Sequence, residues 1–161
     1  YYVATHDEKT GLYNTVFFKE MMEFEFEKAR RRRTFSLLIF DIDYFKKIND
    51  KWGHILADSL LRQFARILEK HVRKYDIVAR FGGEEFFVLL PNTKLYRARQ
   101  IAERLRRAVL RDATLSKYEL SASCGIAECK QRDNFEKISQ RADKALYRAK
   151  KEGRNRVCLS E

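Results

Sequence analysis

The sequence predicts one α/β domain, an α+β sandwich in which helices pack around a central sheet of the ferredoxin-like type. Three observations carry this prediction. The elements follow the order helix, then β-α-α-β-β-α-β-α, so that helices separate most strands. The exception is a pair of strand-like runs joined by Gly82-Gly83, which indicates a β-hairpin. Finally, 161 residues with 45% hydrophobic content suffice for one packed core, so we expect a single domain over residues 1–161.

The first half of the chain contributes one strand and three helices. Asn14 can cap a helix that carries Phe17, Met21 and Phe24 on one face. The apolar run Phe35 to Phe40 predicts a central strand buried on both sides. A short helical piece from Tyr44 to Asn49 follows. A longer helix then has its inward positions at helical spacing, namely Leu56, Leu60, Phe64, Ile67 and His71.

The second half contributes the hairpin, two helices and a further strand. The hairpin strands are predicted over Asp76 to Phe81 and Phe86 to Leu90, and Pro91 closes the second. A strand is predicted over Leu120 to Ala127, and Gly153 stops the last helix. The inward residues of the two helices are Ala98, Ile101, Ala102, Leu105 and Val109 in the first, and Phe135, Ile138, Ala142, Ala145, Leu146 and Ala149 in the second.

The chain is strongly basic, with 34 Lys and Arg against 23 Asp and Glu, a net charge of +11. Such a balance favours polyanionic partners such as nucleotides, nucleic acid or anionic lipid. The run Arg30 to Arg33 has two open interpretations, a solvated helix end that complements the helix dipole and a binding patch.

Three cysteines, an odd number with no C-x-x-C spacing, argue against a disulfide framework or a zinc site. We therefore expect reduced thiols in a cytoplasmic domain, with Cys124 a small core residue. No apolar stretch approaches the roughly 20 residues that cross a bilayer. Because the chain starts at Tyr1 without an initiator Met, we expect it to be the C-terminal part of a longer sensor protein.

Two groups of carboxylates carry the candidate chemistry. Asp41 and Asp43 end the first strand, and Glu84 and Glu85 follow the hairpin glycines. Mg²⁺ prefers hard oxygen ligands, so Asp41 and Glu84 would form a magnesium site if the hairpin lies beside the first strand. The helix that opens after Asp43 offers free N–H groups suited to phosphate. The competing interpretation is that Asp41 or Asp43 merely caps this short helix.

Four motifs together resemble a known family. They are DEKTGLYN (Asp7 to Asn14), FDIDYFKKINDKWGH (Phe40 to His54), RFGGEEF (Arg80 to Phe86) and RADKALYRAKKEGRNRV (Arg141 to Val157). In this order and over nearly the whole chain, they resemble the GGDEF-domain diguanylate cyclases, here with the GGEEF variant of the signature. The resemblance implies a nucleotidyl-cyclase-like sheet with the hairpin carrying GGEEF.

The resemblance also implies a reaction. Two GTP molecules are condensed into cyclic di-GMP and two pyrophosphates at the interface of a homodimer, and the product inhibits the enzyme. The implied cofactor is Mg²⁺ or Mn²⁺, two ions per active site. The implied location is the cytoplasm, including the cytoplasmic part of a membrane-anchored sensor. We expect no nucleic-acid partner and no direct membrane contact from this segment.

Site residues are carried over where the motifs match. The metal ligands implied are Asp41, the Ile42 carbonyl and Glu84. Glu84 or Glu85 would deprotonate or orient the 3′-hydroxyl, and which of them does so stays open. Lys46 would steady the charged phosphate in the transition state.

The remaining implied roles concern the nucleotide and the product. The substrate-binding residues are Phe45, Asn49, His54, Asp58, Lys150 and Arg154. Asn49 and Asp58 would hydrogen-bond guanine, whose N1–H and 2-amino group suit a carboxylate. Lys150 and Arg154, taken as one helical turn apart, would grip the β- and γ-phosphates. Ala57, where the family commonly has Gly, would crowd the guanine pocket slightly.

An Arg-x-x-Asp motif, Arg73 and Asp76, lies at the spacing of the family's product-inhibition site. Arg104 would contribute from a neighbouring domain. The competing interpretation of this motif is a surface ion pair at a helix end.

Two other functions compete with the cyclase. One is a catalytically degenerate domain that binds GTP or cyclic di-GMP and regulates a neighbour. The other is an RNA-binding module of the RRM type, which has a ferredoxin-like plan, basic charge and a similar R-F-G-G-x-x-F-F-V run.

Overall fold

A computed structural model describes residues 2–161. Its centre is one five-stranded sheet in the spatial order β2-β3-β1-β4-β5. The strands are β1 Phe35–Ile42, β2 Ile77–Gly82, β3 Glu85–Pro91, β4 Ala122–Glu128 and β5 Val157–Leu159. β1 pairs antiparallel with both β3 and β4, and β5 joins β4 in parallel. The order β2-β3-β1-β4 is that of a ferredoxin-like sheet, which confirms the predicted fold class.

Six α-helices connect and cover the strands. They are α1 Tyr2–Thr5, α2 Thr15–Ala29, α3 Phe45–Trp52, α4 His54–His71, α5 Leu95–Arg111 and α6 Phe135–Lys151, with a 3₁₀ turn at Leu115–Tyr118. The predicted cap of α2 is confirmed, since Asn14 Oδ1 accepts a hydrogen bond from the Phe17 N–H (3.0 Å). The predicted inward residues of α5 are all buried.

Strand β1 is buried on both faces. Successive side chains point to opposite sides of the sheet, so they enter two separate cores. Leu38 and Phe40 belong to the core beneath α4 and α5, whereas Leu37 and Ile39 belong to the core beneath α2 and α6. Helices therefore cover both faces of the sheet. An RRM-type module needs an exposed sheet face on which bases can stack, so this alternative is wrong.

The predicted buried face of α2 is wrong. The buried side chains of this helix are Phe18, Met22 and Phe26, whereas Phe24 is 62% exposed. Apolar residues occur in neighbouring pairs along α2, and the last of these pairs, Phe24 and Phe26, is two positions apart. Two stripes with helical spacing therefore exist, and periodicity alone cannot choose between them. Strand β5 and helix α1 were not predicted, because three- and four-residue elements give no periodic signal.

Helix α6 lies unusually close to β4 at Gly125. A Cβ atom at this position would meet the Ala142 carbonyl oxygen and the Leu146 backbone nitrogen, and would lie 2.9 Å from Leu146 Cα. The missing side chain therefore sets the distance between helix and sheet, and with it the position of the end of α6, where Lys150 lies.

No helix within residues 2–161 combines the length and the apolar character needed to cross a membrane.

Candidate active site

The hairpin tip lies beside the end of β1, as the predicted metal site requires. Asp41 and Glu85 are direct partners in the β1–β3 register, and the Ile42 N–H donates to the Glu84 carbonyl (3.2 Å). Gly82 and Gly83 have positive φ (118° and 52°), which an L-residue adopts with strain. Partners in an antiparallel pair face the same side, so Glu85 shares a face with Asp41 while Glu84 lies in the turn.

Lys150 joins this group of carboxylates from α6. Its Nζ lies 2.9 Å from Asp41 Oδ2, and only 14% of the Asp41 side chain is exposed. The sequence analysis placed Lys150 on the nucleotide phosphates. In the structure, it neutralises part of the negative charge at the end of β1.

Despite this lysine, the pKa values of three carboxylates at the site are raised, mainly by burial. Burial, with Asp143, Asp41 and Glu84 nearby, raises the pKa of Glu85 from 4.5 to about 6, against the opposing effect of Lys150. Burial also raises the pKa of Asp41, although the Lys150 hydrogen bond opposes it. Asp143, on α6, likewise has a pKa raised by burial. The sequence analysis missed Asp143, since only the packing of α6 beside the hairpin brings it near Glu85.

The raised pKa of Glu85 predicts a pH effect on stability in the absence of metal. Folded Glu85 keeps its proton up to about pH 6, whereas the unfolded chain loses it near 4.5. Its stabilising contribution is therefore fully present below about pH 4.5 and is lost as the pH rises through 6. After a discount for solvent screening, we expect Glu85→Gln to raise the thermal midpoint by about 2–4 °C at pH 7.5 and by much less at pH 4.5.

Thermal unfolding in EDTA across this pH range measures the effect, with Glu69→Gln on α4 as the matched control. A Glu85→Gln advantage that is independent of pH would contradict the expected cause.

The donor set at the end of β1 fits a divalent cation. Asp41, Glu84 and the Ile42 carbonyl offer hard oxygens, the ligand type of Mg²⁺. Glu84 and Asp43 both act to raise the pKa of Asp41, and a cation among them would relieve that repulsion. Within residues 2–161, no three His, Cys, Asp or Glu side chains are already gathered around a common point.

The start of α3, three residues after Ile42, has the features of a helix N-terminus suited to phosphate. Tyr44 precedes the helix in the left-handed region (φ 55°), and no side chain caps the helix N-terminus. The N–H groups at Phe45 and Lys46 therefore lie at an uncapped helix N-terminus, and the Lys46 side chain is exposed.

Arg154 approaches the same place, but its predicted position on a helix is wrong. Helix α6 ends at Lys151, and Arg154 follows Gly153 with φ 65°. Its guanidinium lies 4.4 Å from the centroid of the Tyr44 ring, and Lys47 Nζ lies 4.6 Å from the same ring. Tyr44 thus collects two cations near the uncapped helix start, a role that the sequence analysis did not assign.

Asp43 does not cap α3, so that interpretation is wrong for this residue. Its buried carboxylate accepts hydrogen bonds from Ser121 Oγ (2.7 Å), Ser123 Oγ (2.6 Å) and the Asn155 N–H (3.0 Å). It therefore ties the end of β1 to β4 and to the turn after α6. This arrangement fixes the two segments that carry Asp41 and Arg154.

The predicted guanine-binding residues lie around the junction of α3 and α4. Asn49 is half-buried, and His54 is exposed at the first position of α4. Asp58 pairs with Lys9 Nζ (3.0 Å), a contact that sequence spacing did not indicate. Ala57 is 1% exposed, so its methyl group is covered by neighbouring atoms.

The predicted product-inhibition residues split into two groups. Arg73 donates to both carboxylate oxygens of Asp76 (Nη2 to Oδ1, 2.8 Å; Nε to Oδ2, 3.0 Å) and to Thr93 Oγ1 (2.7 Å). The Asp76 side chain is fully buried, whereas 26% of that of Arg73 is exposed. Arg104 lies on α5, where it donates to the His71 carbonyl (2.8 Å).

A salt bridge links the hairpin turn to the N-terminal segment. Arg80 donates to Asp7 Oδ1 (3.2 Å) and, through Nε and Nη2, to the Gly83 carbonyl (3.1 and 2.9 Å). Asp7 also accepts from the Thr10 N–H (2.8 Å). Arg80 thereby links the peptide that precedes Glu84 to the N-terminal segment.

The ferredoxin-like sheet, the carboxylate-bearing hairpin beside its central strand and the uncapped helix start form an arrangement that suits a divalent cation and a phosphate-bearing ligand. Comparison with family models narrows this class. The model described as "Diguanylate cyclase, GGDEF domain" matches residues 4–156. The chain belongs to the GGDEF-domain family.

Two curated relatives with similar sequences are diguanylate cyclases. The chain is 44% identical to diguanylate cyclase DgcP of Pseudomonas aeruginosa over 160 residues, covering 96% of this chain and 24% of the relative. It is 40% identical to diguanylate cyclase DgcM of Escherichia coli over 157 residues, covering 97% of this chain and 38% of the relative. The chain thus spans about a quarter to two fifths of the length of these curated relatives.

Solved structures share the fold. The coiled coil and GGDEF domain of DgcB from Caulobacter crescentus, in complex with c-di-GMP, matches with a TM-score of 0.90 at 31% identity, covering 98% of this chain and 86% of that one. The active GGEEF domain of a diguanylate cyclase from Vibrio cholerae matches with a TM-score of 0.80 at 33% identity, covering 86% of this chain and 90% of that one.

Proposed function

We propose that this domain is a diguanylate cyclase, which condenses two GTP into cyclic di-GMP and two pyrophosphates. The observation that carries the proposal is the pairing of Asp41 with Glu85 across β1 and β3, with Glu84 in the adjoining turn. Diguanylate cyclase relatives at 40–44% identity and the structure of a relative in complex with c-di-GMP support it. The alternative is a degenerate domain that binds these nucleotides without turnover.

Asp41, Glu84 and the Ile42 carbonyl would hold Mg²⁺ or Mn²⁺, in the two-ion arrangement that we expect for this family. When bound, such ions offset the charge that gathers on the phosphate oxygens and make the 3′-hydroxyl a better nucleophile. Glu85 is the carboxylate suited to accept the 3′-hydroxyl proton. In the absence of metal, burial and the neighbouring acids raise its pKa to about 6, close to the value that favours proton transfer at neutral pH.

Cationic groups around α3 would bind the triphosphate. Lys150 and Arg154 approach from the end of α6, and the N-terminus of α3 with Lys46 adds N–H groups and charge. These groups would stabilise the pyrophosphate as it leaves the α-phosphate. For guanine, Asp58 would exchange its ion pair with Lys9 for hydrogen bonds to the base edge, with Asn49 and His54 nearby.

The reaction needs two domains, because each GTP supplies its 3′-hydroxyl to the α-phosphate of the other. The test is GTP turnover with Mg²⁺ across a range of protein concentrations, with cyclic di-GMP as the measured product. We expect the rate per domain to rise with concentration as dimers form. GTP binding without cyclic di-GMP formation at any concentration would establish the degenerate alternative instead.

We also propose product feedback through Arg73, Asp76 and Arg104. Asp76→Ala should remove inhibition by added cyclic di-GMP, since Arg73 then loses the partner that orients its guanidinium. Because the Asp76 side chain is buried, we expect a stability cost of about 1–3 kcal/mol as well. The measurement is initial rate against cyclic di-GMP concentration, with the thermal midpoint recorded in parallel.

Arg104→Gln serves as the companion variant, since it removes an exposed part of the same proposed site. Weakened inhibition in both variants supports the site. Unchanged inhibition in both would leave Arg73 and Asp76 as a structural ion pair.

A further inference from the structure

A basic cavity lies at the opposite end of the sheet from the hairpin tip. Its volume is about 860 Å³, and it opens between the α2–β1 turn and the β4–α6 loop. Five cationic side chains line it, namely Arg30, Arg32, Arg33, Lys130 and Arg132. The run Arg30 to Arg33, which the cyclase site does not use, forms one wall.

The two acids that line this cavity are engaged within the fold. Glu128 accepts from Thr34 Oγ1 (2.9 Å) and from the Leu95 N–H at the start of α5 (2.7 Å). Asp133, whose side chain is 4% exposed, forms a two-oxygen pair with Arg141 (2.7 and 2.8 Å). Asp133 also accepts from the Lys130 N–H (2.8 Å), so both carboxylates are engaged by donors of the fold.

Within residues 2–161, two of the five cationic side chains have a partner and three have none. Arg30 pairs with Glu27 (2.8 Å), and Lys130 Nζ reaches the Glu161 carbonyl (3.3 Å). The side chains of Arg32, Arg33 and Arg132 have no hydrogen bond or ion pair with any part of residues 2–161. Arg32 and Arg132 also hold left-handed backbone (φ 69° and 66°), where glycine would be less strained.

We propose that this cavity is a binding site for a ligand that carries two or more phosphoryl groups. Several arginines line one concave space, and the N–H groups of their guanidiniums match the oxygens of adjacent phosphates. The volume is that of a pocket for a nucleotide-sized ligand. The source of the phosphates is either a free polyphosphate or nucleotide, or a polyphosphorylated lipid headgroup.

The site is separate from the proposed active site. Thr34 borders the cavity just before β1, and Asp41 lies seven positions further along the chain. At roughly 3.3 Å per residue, the two are about 23 Å apart. The proposal therefore does not rest on the cyclase reaction, and its ligand can be bound while the hairpin is occupied.

The test is a titration of the ¹⁵N-labelled domain with tripolyphosphate, without divalent metal, followed by amide NMR shifts. We expect saturating shifts at residues 30–34 and 130–134, besides any at the start of α3. Arg33→Gln/Arg132→Gln should weaken binding at these residues by about tenfold or more. The matched control Arg62→Gln/Lys117→Gln loses equal charge from exposed positions outside the cavity and should leave binding unchanged.

Co-sedimentation with phosphatidylcholine vesicles, with or without phosphatidylinositol bisphosphate, distinguishes the two sources. Vesicle binding that the cavity variant loses assigns the lipid headgroup; tripolyphosphate saturation without vesicle binding assigns a free polyphosphate or nucleotide. No binding of either probe at the cavity, or equal losses in the cavity and control variants, would overturn the proposal.

Discussion

Glu84→Gln should lower cyclic di-GMP formation by on the order of 10²- to 10³-fold, or more, with the fold intact. The amide keeps the size of the side chain but removes the negative charge that a divalent cation needs. Glu84 lies in the two-residue turn at the hairpin tip. Its backbone carbonyl, which the substitution does not change, accepts the hydrogen bond from the Ile42 N–H. The fold therefore gives no reason for a large change in stability.

Turnover at saturating GTP and Mg²⁺ is the measurement, with the thermal midpoint as the check on folding. Glu69→Gln, the same substitution on the exposed side of α4, is the control and should turn over at the wild-type rate. Near-normal activity in Glu84→Gln would remove this residue from the metal site. A large fall in the thermal midpoint would show that the carboxylate is structural.

Gly125→Ala should destabilise the domain by about 2–3 kcal/mol and lower the thermal midpoint by roughly 5–10 °C. The new methyl group would overlap backbone atoms of Ala142 and Leu146, so α6 as a whole must move away from β4. Lys150 moves with α6, so we also expect weaker GTP turnover than the loss of folded protein alone explains.

The control is Leu146→Ala in the Gly125→Ala background. Because the clash involves the backbone of α6, shortening the Leu146 side chain should not restore stability. Restored stability in the double variant, or a single variant as stable as the wild type, would show that the helix can shift at little cost.

Most of the fold was predictable because the pattern of apolar residues in α5, α6 and β1 indicates which side chains are buried. The five inward residues predicted for α5 are spaced so that only one face can be apolar, and all five are buried. Helix α2 failed on the same criterion, since its paired apolar residues offer two stripes. Only the position of Phe18 against Phe81 and Phe87 selects one of them. That choice is made by tertiary packing.

The candidate site was predictable in its residue types and less so in its contacts. The carboxylates at the end of β1 and in the hairpin were predicted as site residues from their positions in the sequence. The antiparallel register then brings Asp41 opposite Glu85. The pairs Lys9–Asp58 and Arg154–Tyr44 join segments far apart in the chain. No local pattern encodes such pairs. The three donors on Asp43 likewise become visible only when β4 and the turn after α6 meet β1.

The Arg80 side chain has a mechanical consequence. One guanidinium holds both Asp7 and the Gly83 carbonyl, so a shift of the Asp7 segment must either stretch this link or drag the tip of the hairpin with it. The peptide bond directly before Glu84 would then tilt, and the reach of that carboxylate toward Asp41 would change. A displacement of the N-terminal segment would in this way reach Glu84 through a single side chain, without any rearrangement of the sheet.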